Sequence, residues 1–391
     1  MKEKLKFISS AALPVLLLLG LIFVFFSSGP LGLLKTTFPP VESVSFEKVV
    51  LEPGLITVEI INDGPDPVTV SQVLVIDAYN LFAIDRPTLQ HLEKATIRIN
   101  YPWVDGLPLK ITLLTADGLT FDKEIEVATR TPQFSMAQLA AFSLLGMYVG
   151  VLPVFMGLLW LPFLRSLSRK WYDFFLSLTI GLLVFLAADA LEGALELSGD
   201  VAASFQGAML IPIGFFFALL VLLAIGQKGS IDVTKKGVAS HALRLSYMIA
   251  LGIGLHNLGE GLAVGSAYAV GEIALGSLLV IGFMMHNLTE GIAIVAPIAR
   301  KEDGSQLRHL FLLGLLAGGP TIVGTWIGGF VFSSLWSLIF LSIGAGAIAY
   351  VIIEIIKHMR KESAEGIFTF SNIAGFLAGM LIMYATGLFV A

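Results

Sequence analysis

The sequence contains no cysteine, which excludes disulfides and thiolate metal sites. Charge is scarce too. Asp, Glu, Lys and Arg make up 14% of the 391 residues, against about 25% in a soluble globular protein. The formal net charge is −5, and no basic run is long enough to track a phosphate backbone. A soluble enzyme, a nucleic-acid binder and a disordered scaffold are thereby excluded. Apolar residues fill the space, at 56% of the chain with a mean hydropathy of +0.87. The fold class that follows is a polytopic α-helical membrane protein in contact with the lipid bilayer.

Stretches without charge locate the spans, because a helix needs about 20 apolar residues to cross the hydrocarbon. The first runs from Phe7 to Leu34, behind Lys2, Lys4 and Lys6. It exceeds the usual signal h-region of about 7–15 residues and has no clean small-x-small site, so residues 1–35 read as a retained anchor. From residue 132 to 391 the chain is nearly all span, with helices expected at 136–164, 172–197, 206–226, 243–268, 272–299, 309–333, 335–357 and 369–390. Arg165, Arg169 and Lys170 occupy one junction, and Lys228, Lys235, Lys236 and Arg244 the next but one. Arg300, Lys301 and Arg308 follow, then Lys357, Arg360 and Lys361. With the three N-terminal lysines these are 16 of the 24 basic residues, all at alternate connections. The positive-inside rule then gives nine spans, with the N-terminus cytoplasmic and the C-terminus outside. The expected location is the plasma membrane.

Residues 36–131 differ in kind. LITVEII, VTVSQVLVI, ATIRIN, LKITLLT and FDKEIEVA are short β-branched runs, separated by turn-formers at Asn62–Pro67 and at Ala116-Asp117-Gly118. Such spacing predicts a small antiparallel, sandwich-like extracytoplasmic domain. Between residues 30 and 131 there are 14 acidic and 8 basic residues, a balance of −6. A solvated surface accounts for that balance, and the sequence names no partner for the domain.

Ionisable residues inside spans are functional candidates by default, and here they cluster. His256-Asn257-Leu258-Gly259-Glu260-Gly261-Leu262-Ala263 lies in the fourth helix of the eight. Thirty residues later the fifth contains His286-Asn287-Leu288-Thr289-Glu290-Gly291-Ile292-Ala293. Histidine and glutamate four apart share one helix face, so two facing helices are expected to gather two imidazoles and two carboxylates around one point. That set suits Zn²⁺, or part of an octahedral shell for Fe²⁺, Mn²⁺ or Co²⁺. Asn257 and Asn287 point beside this centre, about 100° around each helix. Gly261 and Gly265 form a small-xxx-small contact face. Asp189, Glu192 and Glu196 line a stripe of the second helix, and the first two could lead ions to or from the centre. Glu354, with His358 one turn on, is a candidate release ligand. His241 and His309 read as interfacial residues.

The paired HNLxEGxA helices resemble the ZIP (Zrt/Irt-like) family of divalent-metal transporters, especially its prokaryotic branch. The resemblance covers about residues 136–391, where eight helices with both ends outside match the family topology, and it leaves out the anchor and the β-rich segment. It implies a transport site of His256, Glu260, His286 and Glu290, with Asn257 and Asn287 serving a second metal. It further implies uptake through Asp189 and Glu192, release past Glu354, movement of metal toward the cytoplasm, and an elevator-like shift of part of the bundle. This sequence departs from the family pattern in three places. Gly319 stands before Pro320 where relatives often carry a bridging glutamate, which lowers the expectation of a second tightly held metal. Gly259 and Thr289 replace the proline usual in the motif. The loop at 227–242 holds one histidine, His241, and no histidine-rich segment.

The leading expectation is a transporter rather than an enzyme, with Zn²⁺ foremost and Fe²⁺, Mn²⁺, Co²⁺ and Cd²⁺ as further substrates. It needs no cofactor, because the metal is the cargo. An intramembrane metallohydrolase would use the same ligands to activate water, although no HExxH motif is present. A membrane receptor with a structural metal is the third class. Small residues at Gly314/Gly318, Gly324/Gly328 and Gly375/Gly379 allow close helix packing, within one chain or in a homodimer.

Overall fold

A computed structural model of the chain describes residues 13, 16–24, 41–125, 127–233, 238–269, 273–299, 307–331, 333–362 and 366–387. At 227–233, 238–241, 273–275, 278, 362, 386 and 387 it describes the backbone alone. The chain falls into two units, Met1–Val41 and Glu42–Ala391. In the first, residues 16–24 are helical and their apolar side chains are exposed. The remainder of the anchor expected at 7–34 lies outside the described residues.

The second unit begins with nine antiparallel strands. These are β1 (Val44–Glu52), β2 (Leu55–Asn62), β3 (Val68–Val75), β4 (Ala78–Asn80), β5 (Phe82–Ile84), β6 (Thr88–Leu89), β7 (Lys94–Asn100), β8 (Leu109–Thr115) and β9 (Thr120–Ile125). They make two sheets, ordered β1-β2-β7-β5 and β4-β3-β8-β9, with β6 paired to β3. The alternation seen in the sequence sets which side chains face inward. Ile56, Val58 and Ile60 of β2 and Ile97 and Ile99 of β7 meet Val73, Val75, Ile111 and Leu113 of the other sheet in one buried core. All five expected strands are present. β1 and the short β4–β6 are additional, because VSFEKVVLE does not alternate cleanly and three-residue strands carry no period.

The turn after β2 is pinned by buried Asn62. Its Nδ2 donates to the carbonyls of Asp66 (2.8 Å) and Leu89 (2.9 Å), while its Oδ1 accepts from the Gly64 amide (2.9 Å). This holds Asp63 outward, against the helical bundle.

Eight helices follow. α1 spans Met136–Ser166, with a π turn at Met147–Val151 and a break after Leu158. Then come α2 (Arg169–Ser198), α3 (Gly207–Val233), α4 (Val238–Ala269), α5 (Ile273–Ala299), α6 (Leu307–Phe330), α7 (Ser334–Glu362) and α8 (Phe370–Gly387). Among the described residues seven helices are long and apolar enough to cross a membrane, and α8 contributes a shorter apolar stretch, Phe370–Ala385. Each expected span of the 132–391 region coincides with a helix. The chain is thus mostly helical with a small β region near its N-terminus, as a polytopic membrane protein would be.

Glycine decides how the helices group. A methyl added at Gly328 would sit 2.1 Å from the Leu262 carbonyl oxygen, and one at Gly261 2.1 Å from that of Thr321. α4 and α6 therefore touch backbone to backbone. Gly157 and Gly291 do the same for α1 and α5, and Gly379 for α8 on α2. α3 packs on α7, and α7 on α2. The result is two groups, α1/α4/α5/α6 and α2/α3/α7/α8, which meet chiefly where α4 faces α7. Across that seam the approach varies: a methyl at Gly259 would come no nearer than 3.6 Å to α7, whereas one at Gly252 would meet the Val351 side chain at 2.5 Å and one at Gly344 the His256 Cα at 3.2 Å.

The β-sandwich is bonded to the second group. Asp63 Oδ2 accepts from the Ala203 amide and from Ser45 Oγ, both at 2.9 Å, and the Asp63 carbonyl accepts from Ser204 Oγ at 2.8 Å. Ala203–Phe205 is the 3₁₀ turn joining α2 to α3. Burial alone would raise the Asp63 pKa. The bonds from Ser43, Ala203 and Ser45 outweigh it and hold the carboxyl below its ordinary value.

Two outcomes are expected. Gly328→Ala should destabilise the bundle by about 1–3 kcal/mol in thermal unfolding. Gly193→Ala, whose methyl would meet nothing nearer than Leu341 Cδ1 at 3.8 Å, should be neutral. The Asp63 contact should be at full strength above its unfolded pKa of about 3.9 and be lost as pH falls through the depressed folded value. Spin labels at Thr88→Cys and Phe205→Cys should show a narrow distance distribution at neutral pH that broadens only below about pH 4. In Asp63→Ala it should be broad at both.

Candidate metal centre

α4 carries His256, Asn257 and Glu260, and α5 carries His286, Asn287 and Glu290. All six side chains are buried. His256 Nε2 lies 2.9 Å from Glu260 Oε1, one helical turn away. His286 Nε2 reaches that same oxygen from α5. A carboxylate only accepts, so both imidazoles donate from Nε2. Asn287 Nδ2 donates to the other carboxylate oxygen, Glu260 Oε2, at 2.9 Å. Glu260 is thus held by three side chains, two of them from the neighbouring helix.

The second amide proton of Asn287 goes to the Val149 carbonyl of α1 at 3.0 Å. That carbonyl is available for a reason written in the sequence. Its α-helical partner would be the N–H of residue 153, which is Pro153 and has none, and the π turn at Met147–Val151 distorts the ladder at the same place. Asn257 instead turns toward α6, where its Nδ2 donates to the Ala317 carbonyl at 3.2 Å. The two asparagines of the repeat therefore brace the α4–α5 pair against α1 and α6.

The ligand atoms of His256, Glu260 and His286 lie within 4.8 Å of one another. Around a tetrahedral zinc with bonds of about 2.1 Å, neighbouring ligand atoms stand roughly 3.4 Å apart. A small outward shift of the three, with both Nε2 atoms freed of their protons by a change to the Nδ1–H tautomer, would open a seat for such an ion. Of the two imidazoles and two carboxylates expected around one point, three converge this closely, and Glu290 stands beside them, within electrostatic range of His256, His286 and Glu260. Both carboxylate oxygens of Glu290 are buried without a hydrogen bond of good geometry, as are Asn257 Oδ1 and Asn287 Oδ1. Glu290 lines a small cavity between α5 and α2, shared with His286, Thr289 and Thr179. Helical period places side chains on a face. It does not fix the crossing angle that decides whether two faces converge over one turn or two.

The outlying acids are placed differently. Asp189 and Glu192 are exposed on α2. Asp189 follows Leu182 and Leu186, which line the cavity beside Glu290, at intervals of 7 and 3 residues, and so continues that face. It lies within electrostatic range of His286, His256 and Glu260. Glu354 is paired with Lys357 Nζ at 2.8 Å, at the other end of the bundle. A methyl at Gly319 would meet only Leu315 of its own helix within 4 Å, so nothing packs against that position. The other histidines are bonded elsewhere: His91 to the Gly64 carbonyl, His309 to the Tyr247 hydroxyl and His358 to the Tyr172 hydroxyl. The His241 side chain lies outside the described residues. The Val149 carbonyl was not among the sequence candidates, although Pro153 marks it.

No protein-family model and no curated protein matches this chain.

The two glutamates should respond oppositely in thermal unfolding without metal. Glu260→Ala strands two imidazoles and an amide and should cost on the order of 2–4 kcal/mol. Glu290→Met removes a buried carboxylate whose oxygens receive no hydrogen bond of good geometry and should stabilise by about 1 kcal/mol.

Proposed function

We propose that this chain is a divalent-metal transporter of the ZIP kind, carrying Zn²⁺ foremost, in the plasma membrane. The reading rests on the doubled HNLxEGxA motif. The observation that carries it is the convergence of His256, His286 and Glu260 inside a bundle of membrane-length helices. Beside them Glu290 lies buried, with no hydrogen bond of good geometry to its carboxylate oxygens, an arrangement that a bound cation would relieve. In the proposed arrangement nine spans place the N-terminus in the cytoplasm and the β-sandwich outside. Metal approaches past Asp189 and Glu192 and loses water to imidazole and carboxylate. To ligate, each imidazole presents the Nε2 lone pair: a neutral ring moves its proton to Nδ1, and an imidazolium releases its Nε2 proton. Glu290 supplies the further negative charge that a doubly charged ion needs. Release toward the cytoplasm passes the end of the seam near Glu354, once that carboxylate parts from Lys357. No redox or covalent step is involved.

Purified protein in liposomes loaded with a metal-sensitive dye should admit Zn²⁺, and Glu260→Ala and Glu290→Ala should each reduce flux to the level of empty liposomes. Wild-type protein that binds zinc tightly through these residues but moves none would point to the metallohydrolase or receptor reading. Because the ligands bind metal only when deprotonated, flux should fall as external pH is lowered from about 7.5 to 5.5. A flat profile would argue against histidine as a ligand.

A further inference from the structure

A second cavity lies away from the histidine cluster, at the end of the bundle where the basic residues of α7 gather. It is partly open and measures about 730 Å³ counting its mouth. α3, α4 and α7 enclose it, so it sits on the seam between the two helix groups. Three cations face it: Arg244 from α4, and Lys357 and Lys361 from α7. One acid opposes them, Glu354, and its carboxylate is already engaged by Lys357 at 2.8 Å. Arg244 uses Nη2 to hold the Gly226 carbonyl of α3 at 2.5 Å, which leaves other guanidinium donors for a ligand. The rest of the wall includes Leu223, Leu245 and Met248. The charge is therefore wrong for a metal cation, and the apolar wall is wrong for a small hydrated anion.

We propose that this cavity binds the anionic headgroup of a phospholipid. Arg244 and Lys361 would take the phosphate, and Leu223, Leu245 and Met248 would pack against the glycerol and upper acyl carbons. The chemistry recognised is a phosphate ester joined to hydrocarbon. Basic pockets between membrane helices take such headgroups, and planar guanidinium recognition suits phosphate oxygens. The proposal rests on the membrane reading of the chain and is independent of metal transport.

The test is a calorimetric titration of the full chain, in uncharged detergent, with short-chain phosphatidylglycerol, phosphatidylcholine and inorganic phosphate. Phosphatidylglycerol should bind and the other two should not. Loss of one cation should weaken it about fivefold in Lys361→Gln and in Arg244→Gln. Arg360→Gln, which removes a neighbouring exposed charge outside the cavity, should leave it unchanged. Lys361 makes no helix-packing hydrogen bond among the described residues, so its variant keeps the test valid if Arg244→Gln fails to fold. Equal weakening in Arg360→Gln would reduce the effect to diffuse surface attraction and overturn the site. Binding of inorganic phosphate with the same residue dependence would overturn the lipid assignment in favour of a soluble anion. No weakening in Lys361→Gln would overturn both.

Discussion

A carboxylate withdrawn from water must be bonded by something else, and Glu260 is bonded by two imidazoles and an amide. Much of the bundle follows from meeting that demand. Two of the three donors come from α5, so α5 must lie along α4 at a fixed register. The amide that serves Glu260 must itself be held, and it is held by a carbonyl of α1 that Pro153 has left without a helical partner. α6 supplies the corresponding anchor for Asn257. Three helices, α4, α5 and α1, are thereby tied to one buried anion, and α6 is held to the motif through Asn257. Glycine lets them come close enough, since any side chain at 261, 324 or 328 would strike the facing backbone.

The parts of this arrangement that are local in sequence were readable there. Scarcity of charge located eight helices to within a few residues, because a charged side chain in hydrocarbon is costly enough to punctuate the chain. The doubled motif pointed to the residues that converge, because His and Glu four apart share one helix face. What the sequence did not show is relative placement. Glu260 and Glu290 hold equivalent positions in the repeat, yet one receives three hydrogen bonds and the other none. Only the crossing of α4 over α5 distinguishes them. β1 was missed for a related reason, since its burial comes from its position at a sheet edge and its sequence does not alternate.

The division of the helices into two groups gives the rest of the molecule its organisation. Within each group, glycines seat one backbone against another. Across the seam at α4 and α7 the approach is less uniform, open at Gly259 but close where Gly252 faces Val351 and Gly344 faces His256. The histidine cluster belongs wholly to the first group. The β-sandwich, through Asp63, is bonded to the α2–α3 turn of the second. Whatever the sandwich does, it is coupled first to the helices that do not hold the cluster.

Both cavities of interest lie between the two groups, at different levels and with opposite electrostatic character. The one beside Glu290 is walled by α2 and α5 and contains a carboxylate that receives no hydrogen bond of good geometry. The other is walled by α3, α4 and α7 and carries an excess of cations. A cation entering the first would satisfy Glu290 and gain the imidazoles of the neighbouring cluster, whereas the second would repel it. A single path lined with acids from end to end is therefore not what the bundle provides. Glu354 is drawn into an ion pair by Lys357, so the charge that would assist release is neutralised as the groups now stand. An anion seated against Arg244 and Lys361 would offset the remaining positive charge and lower the barrier to a cation leaving by that end. It would also bridge α4 to α7, the helices that form the seam. If the chain carries metal as proposed, lipid occupancy would also bear on its release through this one cluster of charges; the lipid site itself does not depend on that.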